Sequence, residues 1–235
     1  MEGTGIFRMT TTVSTVESKR AIYGAYTLAQ AAALARVSLR TVNRWFAADT
    51  ALGPVIKRHM PENADNLISF IDLIQLLGVH TIRSRYEVSL QKLRQAVKNG
   101  EELGIAYPFA TNATRAFLFR DQIVFQDQVG DYIEATGKHA RAYLMEPVIL
   151  PYLQDLTFDE IGLPYEYRPL EKILLAPRRE WGAPIVEACG YTVQTLVNSV
   201  QAEGSIQGAA VACDVTEEEV RAALRYEDHL AGIAA

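Results

Sequence analysis

Arg40, Thr41, Asn43 and Arg44 place two guanidiniums, a hydroxyl and a carboxamide within five consecutive positions. Guanidinium and amide groups can pair with base edges, and cationic and hydroxyl groups can bind phosphate oxygens. On one face of a helix such a set is suited to contacting DNA from the major groove. Ser38, just ahead of that helix, and the basic pair Lys57-Arg58 join it as candidate contacts. A solvated basic face on an ordinary helix pair would use the same residue types, so the flanking elements have to discriminate.

A second group with binding chemistry is Arg178-Arg179-Glu180-Trp181, between Pro177 and Pro184. Its arginines can pair with carboxylates and its tryptophan can anchor a protein contact, or the arginines merely solvate a turn. Catalytic chemistry is not visible. His59, His80, His139 and His229 lie far apart without ligand spacing, and neither Cys189 nor Cys213 has a close Cys or His neighbour. No phosphate-binding glycine loop or nucleophile motif occurs. Asp159-Glu160 falls on an expected hairpin, where a solvated edge is its natural role. The expectation is a binding protein and not an enzyme, with no catalytic, metal or cofactor residues.

The elements around Arg40 fit the DNA contact. Thr27 and Gln30 can form a capping box that starts a helix running to about Ala35. Alanines at 29 and 31–33 let a second helix approach closely. Ser38 is a good N-cap for a helix over Leu39–Phe46. At about 100° per residue, Leu39, Val42, Trp45 and Phe46 share one apolar arc, with Arg40, Thr41, Asn43 and Arg44 opposite. Two short helices, a tight turn and a cationic second helix form a helix-turn-helix pattern. Val55–His59 and Pro61–Asn66 read as a hairpin wing. A helix from about Ser69 should bury Phe70, Leu73, Ile74 and Leu77. Another from Ser89 should turn Leu90, Leu93 and Val97 inward and Lys92, Arg94 and Lys98 outward.

Farther along, Phe117–Phe125 reads as a hairpin turning near Asp121-Gln122, and Thr157–Leu170 as one turning near Ile161-Gly162. Helical candidates lie between them at Asp131–Thr136 and around Pro147–Leu153. The tail is a small helical unit, with Ser205 as one cap and Thr216 with Glu219 as a capping box. The predicted class is mainly α with small β-hairpins (α+β): a loose N-terminal arm over 1–20, a winged helix-turn-helix over 21–104, a middle α+β segment over 105–170 and a C-terminal helical domain over 171–235.

Charge divides along the chain. Residues 19–98 hold 12 Lys/Arg against 5 Asp/Glu, a net of +7, and residues 121–235 hold 8 against 19, a net of −11. A basic front suits phosphate, an acidic rear suits something else, and chance clustering is the bland alternative. The Glu217-Glu218-Glu219 cluster would repel phosphate, which argues against DNA contact by the tail. No apolar run is long enough for a membrane span, and two cysteines make no disulfide framework, so a cytoplasmic location is expected.

The run from 26 to about 104 resembles the winged helix-turn-helix of the mercury-resistance-regulator (MerR) superfamily. Tyr26-Thr27-Leu28, Val37-Ser38, Arg40-Thr41-Val42 and Val88–Leu93 carry the likeness. Arg36 stands where that family usually has glycine, and the family's long dimerising helix is missing. Ile173–Val186, Ala202–Ile206 and Val215–Leu224 resemble the antitoxin-like "domain of unknown function 433" family. Its usual Gly-Thr-Arg-Ile-Pro-Thr loop is replaced by Ala188–Val193. Together the resemblances imply a VapB-type antitoxin of a type II toxin–antitoxin (VapBC-like) pair. They imply binding to a cognate PIN-domain endoribonuclease, autorepression through operator double-stranded DNA, and a homodimer or hetero-oligomer with the toxin. Arg178, Arg179 and Trp181 are then the candidate toxin contacts. Two alternatives stay open: a MerR-like ligand-sensing transcription regulator without a toxin partner, and a C-terminal part that is itself a nuclease or nuclease subunit.

Overall fold

Ten consecutive residues of one helix, Phe70 to Val79, are buried, polar Asp72 and Gln75 among them. That helix, α3 (Phe70–Tyr86), is therefore packed on every side, where its apolar spacing suggested a single inward face. The structure, a computed structural model, describes residues 24–47, 53–60, 64, 66–102, 104–105, 107–112, 115–119, 122–126, 132–134, 146–147 and 151–234. The expected N-terminal arm, residues 61–63 and 65 of the expected wing, and Asp131 with Ala135-Thr136 lie outside the described residues.

The front begins with strand β1 (Tyr26–Thr27), paired antiparallel to β2 (Leu67–Ile68). Helix α1 (Leu28–Ala35) follows, with both halves of the Thr27/Gln30 capping box formed. Helix α2 (Leu39–Phe46) starts at Ser38, whose Oγ accepts the Thr41 N–H at 3.2 Å. The turn between them passes through Arg36 at φ 55° and ψ 43°. Left-handed backbone costs a non-glycine residue on the order of 1 kcal/mol. Here the Arg36 N–H reaches the Ala32 and Ala33 carbonyls, and its guanidinium lies 3.3 Å from His229 Nε2.

The expected wing is corrected in its described part. Residues 53–60 form no strand. Val55 and Ile56 are buried, and both their N–H groups donate to the Trp45 carbonyl, at 2.8 and 3.1 Å. The segment thus caps the end of α2, satisfying a carbonyl that the helix leaves open. His59 continues the anchorage: its backbone N–H donates to Asp72 Oδ2 at 2.9 Å and its Nδ1 lies 2.7 Å from Oδ1. Asp72 also accepts the Ser69 N–H while Ser69 Oγ accepts that of Asp72, a capping box that starts α3. A buried carboxylate therefore fixes both the start of α3 and the loop beside it.

Helix α4 (Leu90–Glu102) turns Leu93, Ala96 and Val97 into the core, with Lys98 exposed. Two four-stranded antiparallel sheets follow. The first has the order β5-β4-β3-β6, with β3 at Arg115–Phe119, β4 at Gln122–Gln126, β5 at Tyr132–Glu134 and β6 at Glu146–Pro147. Phe119 pairs with Gln122, so Gln122, expected near the turn, belongs to the second strand. Tyr132–Glu134, read as helical, is a strand against Val124–Gln126. Tyr and Ile favour the pleated surface, and pairing with β4 overrides weak helical spacing. Around Pro147–Leu153 the helical expectation is corrected too: Glu146–Pro147 is an edge strand, and a 3-10 turn begins only at Pro151.

The second sheet has the order β10-β9-β8-β7: β7 at Leu156–Phe158, β8 at Pro164–Leu170, β9 at Ile173–Leu175 and β10 at Ile185–Val186. Its first hairpin turns where expected, with Asp159 Oδ1 accepting the N–H groups of Ile161 and Leu163. Helices α5 (Val193–Glu203), α6 (Ile206–Cys213) and α7 (Glu217–Ala234) end the chain, with caps at Thr192, Ser205 and Thr216. The fold is α+β, with seven α-helices and small antiparallel sheets among the described residues. One buried cluster joins Tyr26 and Leu28 through α3 to Ile173, Leu175 and Tyr226. No helix among the described residues is long and apolar enough to cross a membrane.

Candidate nucleic-acid interface

Helix α2 is held by one face. Val42, Trp45 and Phe46 are buried, whereas Leu39 is 45% exposed, contrary to its expected inward position. Arg40, Asn43 and Arg44 are exposed, and Thr41 is half-buried with its hydroxyl 2.9 Å from Ser38 Oγ. Ser38 is exposed, with its side-chain oxygen engaged as the cap. The fixed face is what makes the other useful: three apolar anchors set the rotation of α2, and the two guanidiniums and the amide point to solvent at defined heights.

The structure adds residues that sequence reading missed. Thr41 and Arg44 line an open groove of about 550 Å³ whose far wall is the end of α3, with His80, Arg83 and Ser84; Glu87 stands at one edge. Burial lowers the pKa of His80, which keeps the imidazole neutral near pH 7. Arg44 and Arg83 are then the groove's positive charges, opposed by Glu87. Two exposed guanidiniums beside a concave surface are groups able to pair with phosphate oxygens. The signal in the sequence was the basic end of α3, Arg83 and Arg85, on a helix otherwise apolar.

Lys57 and Arg58 sit apart from this groove. Lys57 is exposed and lines a second open groove, of about 590 Å³, with Gln91, Arg94, Gln95 and Lys98 of α4. Arg94 Nε donates to the Gly53 carbonyl at 3.1 Å, tying the loop to α4. Arg58 is half-buried. The basic residues thus fall into two clusters, one on α2 and α3 and one on the 53–58 loop and α4.

The Arg178–Trp181 turn is exposed as a whole, and Trp181 is 81% exposed. Glu180, Trp181 and Gly182 follow one another at φ 45°, 56° and 86°. Two non-glycine residues in succession on left-handed backbone are unusual and carry strain. Neighbouring contacts hold them there. Gly182 N–H donates to the Arg179 carbonyl, Ala183 N–H to that of Glu180, and Ala25 N–H to that of Trp181 at 3.2 Å. A Cβ on Gly182 would stand 2.6 Å from the Tyr26 hydroxyl, so only glycine lets the turn seat against β1. The turn that presents Trp181 is thereby docked onto the base of the helix-turn-helix.

The acidic start of α7 is engaged within the chain. Glu219 accepts the Thr216 N–H at 2.7 Å, Glu217 pairs with Arg221 at 2.8 Å, and Glu218 pairs with Arg225 and Lys172 at 2.8 and 3.0 Å. Hydrogen bonds from Arg225 and Lys172 hold the Glu218 carboxyl down at about 2. Among the described residues, no three His, Cys, Asp or Glu side chains gather as a metal-binding group.

No protein-family model and no curated protein matches the chain. Among solved structures, it is similar to the crystal structure of Rv2018 from Mycobacterium tuberculosis. The two are 20% identical with a TM-score of 0.57 over 85% of this chain and 96% of that one. The likeness is one of fold, and it extends over most of both chains.

Proposed function

We propose that the protein binds double-stranded DNA through α2 and represses its own operon as the antitoxin of a toxin–antitoxin pair. The observation that carries the DNA reading is the division of α2, with three buried anchors against exposed Arg40, Asn43 and Arg44, beside Arg83 across an open groove. Arginine and asparagine in that setting suit guanine and adenine edges in the major groove. One short helix reads few base pairs, so a two-fold related pair of chains on a repeated half-site is expected.

The antitoxin half rests on the family resemblance of the C-terminal region and on the Arg178–Trp181 turn. The proposed partner is a PIN-domain ribonuclease, whose active site is rich in carboxylates. Arg178 and Arg179 would pair with those carboxylates and Trp181 would anchor the contact. The exposed, strained tryptophan supports this reading, since a monomer gains nothing by presenting it. The test is co-expression with the product of the adjacent gene, followed by a pull-down and an RNA-cleavage assay. Co-purification with loss of cleavage is the expected result; a neighbouring protein that neither binds nor is inhibited would refute the antitoxin half.

A further inference from the structure

The open groove of about 590 Å³ between the 53–57 loop and α4 lies beyond the C-terminal end of α2. The loop fixes that position. Val55 and Ile56 donate their N–H groups to the Trp45 carbonyl at 2.8 and 3.1 Å, so one wall of the groove is built onto the end of α2. The other wall is a stripe of α4. Gln91, Arg94, Gln95 and Lys98 stand at the i, i+3, i+4, i+7 spacing that brings side chains to one helix face. Arg94 is half-buried, and Lys57, Gln91, Gln95 and Lys98 are exposed.

The walls carry three positive charges, Lys57, Arg94 and Lys98, against one negative, Glu101, a net of +2 among the described residues. The Arg94 Nε–H donates to the Gly53 carbonyl at 3.1 Å, which orients the guanidinium. An arginine held through Nε carries four more N–H donors on its Nη atoms. The Lys98 ammonium stands 3.8 Å from Glu102 in a pair exposed at both ends, an attraction that a phosphate can replace at small cost. Among the described residues, no exposed large hydrophobic side chain lines the groove. Protein partners are anchored by such side chains, whereas phosphate oxygens need cations and amides alone.

We propose that this groove holds the sugar-phosphate backbone of duplex DNA flanking the bases met by α2, with Lys57, Arg94 and Lys98 on phosphates. The proposal rests on the DNA-binding reading of α2 above. At 1.5 Å per residue, the stripe from Gln91 to Lys98 runs about 10 Å, the length of about three phosphates of one strand. Arg58, half-buried and outside the groove's walls, is not among the contacts. Backbone contacts fix register and strengthen binding to any sequence, leaving discrimination to the face of α2.

The test titrates the full chain with the duplex upstream of its own gene and with a scrambled duplex of equal length. Lys57→Gln and Lys98→Gln should each weaken both duplexes alike, by about 5–10-fold at ~0.1 M salt, and lower the salt slope by about one. Both lysines are exposed, so the variants should melt as the wild type does. Replacing flanking phosphates one at a time by uncharged methylphosphonate should cost the wild type about 5–10-fold at one to three positions. At one of those positions Lys98→Gln should lose nothing further. Loss confined to the native sequence, an unchanged salt slope, or lysine variants as sensitive as the wild type at every methylphosphonate would overturn the groove. So would variants that bind DNA normally but lose the neighbouring gene's product in a pull-down, which would make the groove a protein contact. Binding that needs Arg40 and Arg44 but neither lysine would remove the groove and keep the helix-turn-helix reading. Binding that needs the lysines but neither arginine would do the reverse, and failure to bind either duplex would end both.

Discussion

Arg36 is a compromise between backbone and side chain. Its φ of 55° would suit glycine, yet its guanidinium reaches His229 on the last helix. Arg36→Gly should therefore raise thermal stability, because relief of about 1 kcal/mol of backbone cost exceeds a weak exposed hydrogen bond. Arg36→Ala keeps the strain and loses the bond, so its melting temperature should fall; a rise for alanine as well would contradict the account. Asp72 is the opposite case, a buried carboxylate filled by Ser69 and His59 donors. Asp72→Asn should cost about 2–4 kcal/mol in urea unfolding, since one donor is left facing another. A loss under about 1 kcal/mol would show that those bonds are not anchoring α3. By residue type, Asp72 and Gln75 look like surface positions, and this is why the sequence showed one face of α3 and hid the other. Gln75 is buried because its Oε1 accepts the Phe109 N–H at 2.7 Å, a partner 34 residues away.

Elements whose signals are local were legible. The Thr27/Gln30 box, the Ser38 cap and the Thr216/Glu219 box each join groups within four residues, and all three formed as their spacing predicted. Leu39 shares the apolar arc by spacing, yet as the first residue of α2 it is left exposed. The wing misled because Val55 and Ile56 resemble strand residues but are buried by the end of α2, a contact that periodicity does not report. At the contact of α1 with α7, His229 has its pKa lowered by burial and, less, by Arg36. A histidine whose pKa is lowered on folding binds more protons unfolded, so the stability present above about pH 6.5 is lost as pH falls from there through the lowered folded-state value. The melting temperature should drop between pH 7.5 and 5.5, and less so in His229→Gln; an equal drop in both would place the effect elsewhere. In the Arg178–Trp181 turn, Trp181→Gly should move two quantities in opposite directions. Stability should rise by about 1 kcal/mol as left-handed strain is relieved, while partner binding falls by about 2 kcal/mol or more. Loss of both together would mean that the tryptophan serves the fold.

For the molecule as a whole, the division of charge in the sequence does not correspond to a division of the core. One buried cluster runs from Tyr26 to Tyr226, and residues 173–186 supply two strands of a sheet begun at Leu156. Removing the region after 170 would take half of that sheet, so the partner-binding role of the rear is better tested by Trp181 and the two arginines than by truncation. The acidic rear also proved less free than its net charge suggests, because Glu217, Glu218 and Glu219 are already held by arginine, lysine and a backbone N–H. On the face of α2, Arg40, Asn43 and Arg44 are exposed. The central claim is therefore tested most directly by titrating the wild type, Arg40→Ala and Arg44→Ala against the DNA upstream of the chain's own gene across a salt series. The account predicts specific, salt-sensitive binding by the wild type and a loss of about 1–3 kcal/mol for each arginine removed, with the melting temperatures unchanged. Equal affinity in all three proteins would contradict it.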